Sequence, residues 1–358
     1  MCDDHGHDHH GADHAAPRPL HGDAVDPITL EAVDEVTITM LMDNTYDGLL
    51  TDAAPATRRG LFNTPPTDSS VMIGGETRPG LVAEHGFSAL ISVRRGDATH
   101  TVLFDTGVSP DGMADNMERL DIDPGDIALA VLSHGHFDHA GGLDGLARLR
   151  RRAGLPIVVH PLVWSRRRIA IPEMPAVELP TLSRRSLEQE GFEVIERRQR
   201  SLVLGGSVLI TGEVDRTTDF ETGFPFHERL HDDRWEPDPL ILDDQALVIH
   251  VRDRGLVVLT GCGHAGAVNI ARHAMRLTGV GQLHAMLGGF HLGGPAFERI
   301  IEPTVSAFAE MAPAIIVPAH CTGWKAQHRF AADLPDAFAP NAVGTTYTIV
   351  AGPDHAAA

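Results

Sequence analysis

Ser133-His134-Gly135-His136-Phe137-Asp138-His139 runs directly into Ala140-Gly141-Gly142-Leu143. Three imidazoles and one carboxylate thus stand between positions 134 and 139. The preceding segment, Ala128-Leu129-Ala130-Val131-Leu132, is apolar and reads as a buried strand. A helical pattern follows from Leu143 to Ala153. The ligand-type residues therefore occupy a tight turn at a strand end, where alternate side chains address two neighbouring points. His134 and His136 are expected to serve one cation, and Asp138 with His139 a second. Imidazole and carboxylate suit zinc, iron or manganese. A lone histidine in such a turn is more often a hydrogen-bonded interior residue. Four ligand-type residues at this spacing are not explained that way.

The chain has 358 residues, 42% apolar and 22% charged, the composition of a soluble globular protein. No apolar run is long enough to span a bilayer, and the first residues lack the apolar centre of a secretory leader. The expectation is a cytoplasmic enzyme without membrane contact. A formal charge of −20 repels polyanions and argues against nucleic acid as a partner. A small phosphorylated substrate stays compatible, because bound cations supply local positive charge. Three cysteines, Cys2, Cys262 and Cys321, cannot form a disulfide framework and fit a reducing compartment.

Residues 1–34 read as a His-rich disordered tail, with His5, His7, His9, His10, His14 and His21 among acids, glycines and alanines. Such a tract binds transition metals loosely, yet nothing in it ties it to the rest, so a passive extension is expected. Residues 35–358 read as one folded domain. It opens with the β-branched strand Val36 to Met42, then a polar loop to about Gly80. Strands Phe87–Val93 and Thr101–Phe104 follow, closed by Asp105-Thr106-Gly107. A helix spans Asp111 to Leu120, and a strand Pro156 to His160. Residues 161 to about 199, with Arg166-Arg167-Arg168, read as a covering insertion whose basic run is more often a solvated face. One strand is expected over Leu202–Ile210. A hairpin, Gln245–Val251 and Gly255–Thr260, runs into Gly261-Cys262-Gly263-His264. Helices are expected at 266–277 and 297–311, and strands at 283–287 and 314–317, ending in His291 and His320. Two β-rich halves, each followed by helices that must cover a sheet, make an α+β fold, a four-layer αββα sandwich. Four apolar strands end in His-bearing turns: His134, His264, His291 and His320. Strand ends of a sandwich meet at one edge, which builds a distributed metal site. His160, His250 and His284 lack this context and read as structural.

His-x-His-x-Asp-His resembles the signature of the metallo-β-lactamase superfamily. The resemblance implies two divalent ions, a further His for the first, a bridging Asp, and a last His for the second. It also implies that Asp105 props the histidine turn. The C-terminal ligand candidates are His264, His291 and His320. No Asp ends the corresponding strands, so either a His replaces the bridge or the bridge is missing. Cys262, in Thr260-Gly261-Cys262, is another occupant for that place, and Glu213 another ligand; both rank below the histidines, and Cys262 and Cys321 read most simply as small buried residues. Leu81-Val82-Ala83-Glu84-His85-Gly86-Phe87-Ser88, Thr211-Gly212-Glu213, Asp244-Gln245-Ala246-Leu247, Thr260 to Gly266, Gly289-Phe290-His291-Leu292 and His320-Cys321-Thr322-Gly323 together resemble one branch of that superfamily. This branch includes the 7,8-dihydropterin-6-methyl-4-(β-ribofuranosyl)aminobenzene-5′-phosphate synthases of methanopterin biosynthesis. The resemblance covers residues 36 to 350.

Two cations close together hold a hydroxide at neutral pH, and Asp138 is placed to ligate a metal and take a proton. No protein nucleophile is needed, and no Gly-x-Ser-x-Gly elbow or Gly-x-x-x-x-Gly-Lys phosphate loop is present. The leading expectation is a dinuclear hydrolase. Zinc is the metal its imidazole-rich donors suit best, with iron or manganese as alternatives. Its substrate is a small ester, phosphate ester or phosphodiester preferred, with Glu213, Arg216, the arginine run and Lys325 as candidate substrate contacts. The alternatives are a transferase condensing a hydroxymethyl-dihydropterin with a phosphoribosyl-aminobenzene, stacked on Phe290 or Trp324, and a non-catalytic metal-binding or sensing protein.

Overall fold

A computed structural model describes residues 26–150 and 154–352. Two sheets face each other. The larger runs Phe192–Glu196, Leu155–Val159, Ile127–Val131, Ala98–Phe104, Ser88–Arg95, Glu35–Met42, Thr346–Val350 and Ala56–Thr57. The smaller runs Ser201–Val203, Val208–Ile210, Ala246–Val251, Gly255–Thr260, Leu283–Gly289 and Ile315–Ala319.

Side-chain alternation divides these strands between three cores. Val36, Ile38 and Met40 point into the space between the sheets, where they meet Val257, Leu259 and Val317. Leu256 and Val258, the alternate residues of Gly255–Thr260, instead pack under the helices Ala267–Thr278 and Ile301–Met311. Leu103, Ala130 and Ile157 do the same on the opposite outer face, below the helices Gly112–Arg119 and Leu143–Arg150. The strand Gly255–Thr260 is buried along its whole length because both of its faces are covered. The result is the α/β/β/α sandwich expected from the sequence.

Three details differ. Leu202–Ile210 is two strands, because Leu204, Gly205 and Gly206 all take positive φ (50°, 63° and 86°) and reverse the chain between them. The covering insertion is more ordered than its composition suggests. Arg167–Ile169 and Val177–Glu178 join His227–His231 and Arg234–Pro237 in a separate four-stranded sheet, while Phe192–Glu196 pairs in parallel with Leu155–Val159. Finally, the folded body begins before residue 35. Leu30 and Val33 are buried, and the amides of Ile28 and Val33 donate to the carbonyls of Leu277 and His250. The tail histidines lie outside the described residues. Among the described residues, no helix is long and apolar enough to cross a membrane.

Parallel strands give the site its position. Ala98–Phe104, Ile127–Val131 and Leu155–Val159 run parallel in one sheet; Gly255–Thr260, Leu283–Gly289 and Ile315–Ala319 run parallel in the other. Their carboxyl ends release Asp105, His134, Cys262, His291 and His320. The two sheets touch at this edge: the Gln245 amide donates to the Ser133 carbonyl at 2.9 Å.

Candidate metal centre

Asp105 organises the histidine turn. Its carboxylate is buried and accepts from the Ser133 amide, the Ser133 hydroxyl and His139 Nδ1, each at 2.7 Å. A carboxylate accepts only, so His139 carries a proton on Nδ1 and keeps Nε2 for a ligand. Because the Ser133 hydroxyl donates to Asp105, its oxygen accepts from His134 Nδ1, 2.9 Å away. His134 Nε2 is therefore bare, and it has no hydrogen-bond partner although buried. One aspartate thus sets the orientation of two imidazoles.

A second aspartate holds the far side. Asp43, at the end of Glu35–Met42, accepts the His320 amide at 2.8 Å and the Asn341 side chain at 2.7 Å. His320 and His291 both sit at positive φ, 48° and 44°, as does Asp105 at 59°. Non-glycine residues in that region carry strain that the surrounding structure must hold, and such residues gather at functional sites. The third support is Asp243, which accepts the Gly135 amide at 2.8 Å and is ion-paired with the buried Arg167.

Among the described residues, ligand-type atoms converge into three groups, each within 4.8 Å: Asp138, His139, Cys262 and His320; His134, Cys262 and His264; and Cys262, His291 and Cys321. All seven sequence-predicted metal residues except His136 belong to one of them. His136 is near, its ring 4.5 Å from His134 and 4.9 Å from His264, but its Nε2 faces His227 Nε2 at 3.0 Å. His134 is thus grouped with His264, while His136, expected beside it, stands next to this group. Cys262, ranked below the histidines on sequence, is the member common to all three groups.

Buried nitrogens without partners test whether a cation fits here. His134 Nε2, His291 Nδ1, and both ring nitrogens of His264 and of His320 lack hydrogen bonds. An unpaired buried polar atom is costly unless something absent from the protein satisfies it. Burial, reinforced by neighbouring imidazoles, holds His134 and His264 well below the ordinary histidine pKa, so both are neutral donors. Burial lowers His136 likewise, with the Arg167 charge adding to it. At Asp138, burial favours the neutral acid, but His139 and His320 outweigh it and keep the carboxylate ionised. Burial also opposes charge on His139, yet Asp138 and Asp105 raise it to about 9, so a cation at Nε2 takes the place of a proton. Imidazoles, a carboxylate and thiols are a fitting donor set for a divalent metal.

The remaining sequence candidates lie outside the three groups. Glu213 accepts from Arg198 at 2.8 Å and is 3.3 Å from His160, outside the three groups. Arg216 is buried and donates through its two terminal nitrogens to the carbonyls of His264 and Leu240, while its Nε has no hydrogen-bond partner. Arg166 pairs with Glu178, Arg167 with Asp243, Arg168 with Glu228, and Lys325 with Glu298. Phe290 packs against Phe308 and Phe330 under the helices, and Trp324 is 71% exposed beside His328. The aromatic rings at the site are instead Phe224, stacked on His264 at 6.4 Å, and Phe297, 4.5 Å from His291.

Two further histidines reach the site without a strand-end position to mark them. His227, from the insertion sheet, donates through Nδ1 to the Asp238 carbonyl at 3.1 Å, which leaves Nε2 bare toward His136. His85 has its ring 4.8 Å from His320 and its Nε2 3.9 Å from Asp138, with a side chain 67% exposed. Its place within Glu84-His85-Gly86 is the single hint that the sequence offers.

The profile of the metallo-β-lactamase superfamily matches residues 84–270. A protein of Methanocaldococcus jannaschii named 7,8-dihydropterin-6-methyl-4-(β-D-ribofuranosyl)-aminobenzene-5′-phosphate synthase is 29% identical over 260 residues, covering 72% of this chain and 87% of that protein. An uncharacterised protein of the same organism is 27% identical over 249 residues, covering 68% of this chain and 86% of that protein. Among solved structures, a metal-dependent hydrolase of the β-lactamase superfamily superposes with a TM-score of 0.64 at 23% identity, covering 88% of this chain and 99% of that one.

Proposed function

This chain belongs to the metallo-β-lactamase superfamily and is an enzyme, and from that premise we propose that it is a metal-dependent hydrolase of a small ester. The observation that carries the proposal is the set of imidazole nitrogens without hydrogen bonds on His134, His264 and His320, gathered with Cys262 and with Asp138, whose Oδ2 is 3.4 Å from His320 Nε2, at one sandwich edge. His134, His264 and Cys262 would hold one divalent ion, and Asp138, His139, His320 and Cys262 another. Such ions supply Lewis acidity and lower the pKa of bound water to about 7. Zinc suits these donors, with iron or manganese as alternatives.

Asp138 then acts as proton acceptor for the attacking water. Beside it toward solvent stands His85, Nε2 3.9 Å away, which burial holds below the ordinary histidine pKa and so neutral at pH 7. Phe224 and Phe297 offer an apolar wall to the substrate beside His264 and His291. A phosphate ester or phosphodiester is the preferred class, supported by the phosphate in the relative's name. Its charge would be met first by the ions, since Arg167 pairs with Asp243 and Lys325 with Glu298.

A transferase reading draws on the same relative, named as a synthase. The test is turnover of bis(p-nitrophenyl) phosphate and a panel of carboxylic esters by zinc-loaded protein. Hydrolysis lost in His134→Ala and Asp138→Asn supports the proposal. Product formed from the pterin and phosphoribosyl-aminobenzene pair, with no ester hydrolysed, would replace it with the transferase. Ions bound with no turnover of either would point to a sensor.

A further inference from the structure

Cys262 stands where a bridging carboxylate would be expected, and three observations give it that place in geometry. Its sulfur is the one ligand atom shared by the Asp138–His139–His320 group and the His134–His264 group. It lies 3.1 Å from His139 Nε2, the nitrogen that Asp105 leaves for a ligand. The turn that carries it is built for close approach. A Cβ on Gly261 would come 2.2 Å from Ser133 Oγ and 2.6 Å from Asp105 Oδ2, so only glycine lets the Thr260-Gly261-Cys262 turn settle on the Asp105–Ser133–His139 network. On the other side, a Cβ on Gly289 would meet Cys321 Sγ at 2.8 Å and the Cys262 Cα at 3.1 Å. Glycines on both sides therefore press this residue into the centre of the cluster.

Resting on the metal reading above, we infer that the Cys262 thiolate is the protein's bridging ligand between two divalent ions. Sulfur has the lone pairs to contact both, and a thiol that coordinates a metal is deprotonated outright. Its negative charge joins that of Asp138 against the charge of two cations. The two sites then differ. Asp138, His139, His320 and Cys262 supply four protein donors, a closed set. His134, His264 and Cys262 supply three, which leaves a position for water or substrate. Substrate binds at the second site, nearest Phe224. Cys321, in the third group with His291, is not a bridge, because its group contains no donor from the 134–139 turn.

The experiment is cobalt(II) substitution of the full chain in a Cys2→Ser background, so that Cys262 and Cys321 are the only thiols. The readout is the near-ultraviolet thiolate-to-cobalt charge-transfer band. The band is expected in the parent and in Cys321→Ser, and absent in Cys262→Ser. Cys262→Asp, which returns a carboxylate bridge, is expected to bind as many cobalt ions as the parent without the band, and Cys262→Ala fewer. Retention of the band in Cys262→Ser, or its loss in Cys321→Ser alone, overturns the assignment. So does a parent that binds two cobalt ions without a thiolate band, which leaves the hydrolase reading intact. A parent that binds no cobalt overturns both.

Discussion

Replacing Asp105 by Asn separates the folding role of this residue from its control of a ligand. The side chain is buried and accepts three hydrogen bonds at 2.7 Å, from Ser133 N, Ser133 Oγ and His139 Nδ1. Asn keeps the shape and tolerates the φ of 59°. It offers one acceptor oxygen and an amide that only donates. With the oxygen kept for Ser133 N, the amide faces His139 Nδ1, so His139 must hold its proton on Nε2. That removes the lone pair from the nitrogen beside Cys262. A buried donor left without its acceptor costs about 1–3 kcal/mol of stability. Removing such an orienting partner lowers metal affinity roughly 10- to 100-fold; the upper figure is about 2.7 kcal/mol. Asp105→Ala should be worse in both respects, since three donors are orphaned. Zinc affinity is measured by competition with a chromogenic chelator, and stability by urea unfolding of the chelator-stripped chain. If Asp105→Asn binds zinc as tightly as the parent while its urea midpoint falls, Asp105 serves folding alone and His139 Nε2 is not a donor to metal.

Other perturbations test separate parts of the arrangement. Arg167→Met strands the buried Asp243 carboxylate and should cost about 3–5 kcal/mol in urea unfolding, whereas an effect below about 1 kcal/mol would show that the Asp243–Gly135 hydrogen bond does not depend on the ion pair. His227→Gln should leave the urea midpoint of the stripped chain nearly unchanged while lowering ester turnover about 10-fold; unchanged turnover would make its approach to His136 incidental. Burial pushes Asp244 and Glu221 up to about 7, above their ordinary values of 3.8 and 4.5. The folded chain then holds more protons, so their contribution to stability is full below about pH 4 and is lost as pH rises to 7. Asp244→Asn should flatten the decline of the urea midpoint between pH 5 and 8, and an unaltered slope would contradict this.

Much of the fold is legible in the sequence because periodicity reports burial. Gly255–Thr260 and Ile127–Val131 are apolar runs ended by glycine or histidine, and they are central parallel strands. Their ends carry the legible part of the site, since a strand that stops at a sheet edge must release its next residues there. The rest depends on contacts between distant segments. His227 reaches His136 across 91 residues through a sheet whose strands are short and half exposed, so no period marks it. Arg167 reads as part of a solvated basic run, yet it is 2% exposed because Asp243 lies 76 residues away in sequence and 2.5 Å away in space. Cys262 reads as a small buried residue by type, and its place among imidazoles depends on two glycines that permit the approach.

These long-range contacts share a direction. Arg167, His227 and Asp243 all join the insertion to the 134–139 turn: Arg167 through Asp243 to the Gly135 amide, and His227 to His136. The insertion is thus braced on the 134–139 turn, rather than merely lying over it. Arg167 Nη2 and His227 Nδ1 are engaged in that bracing, and the apolar Phe224 stands beside His264. On the proposed function, such a site would meet an anionic group with its metals and the remainder through aromatic contact. Discrimination between esters should therefore follow the organic part of the substrate. In a series sharing one phosphate group, enlarging an aromatic substituent should change KM in the parent and much less in Phe224→Ala. Equal responses in the two would place the organic part elsewhere and remove the insertion from substrate selection.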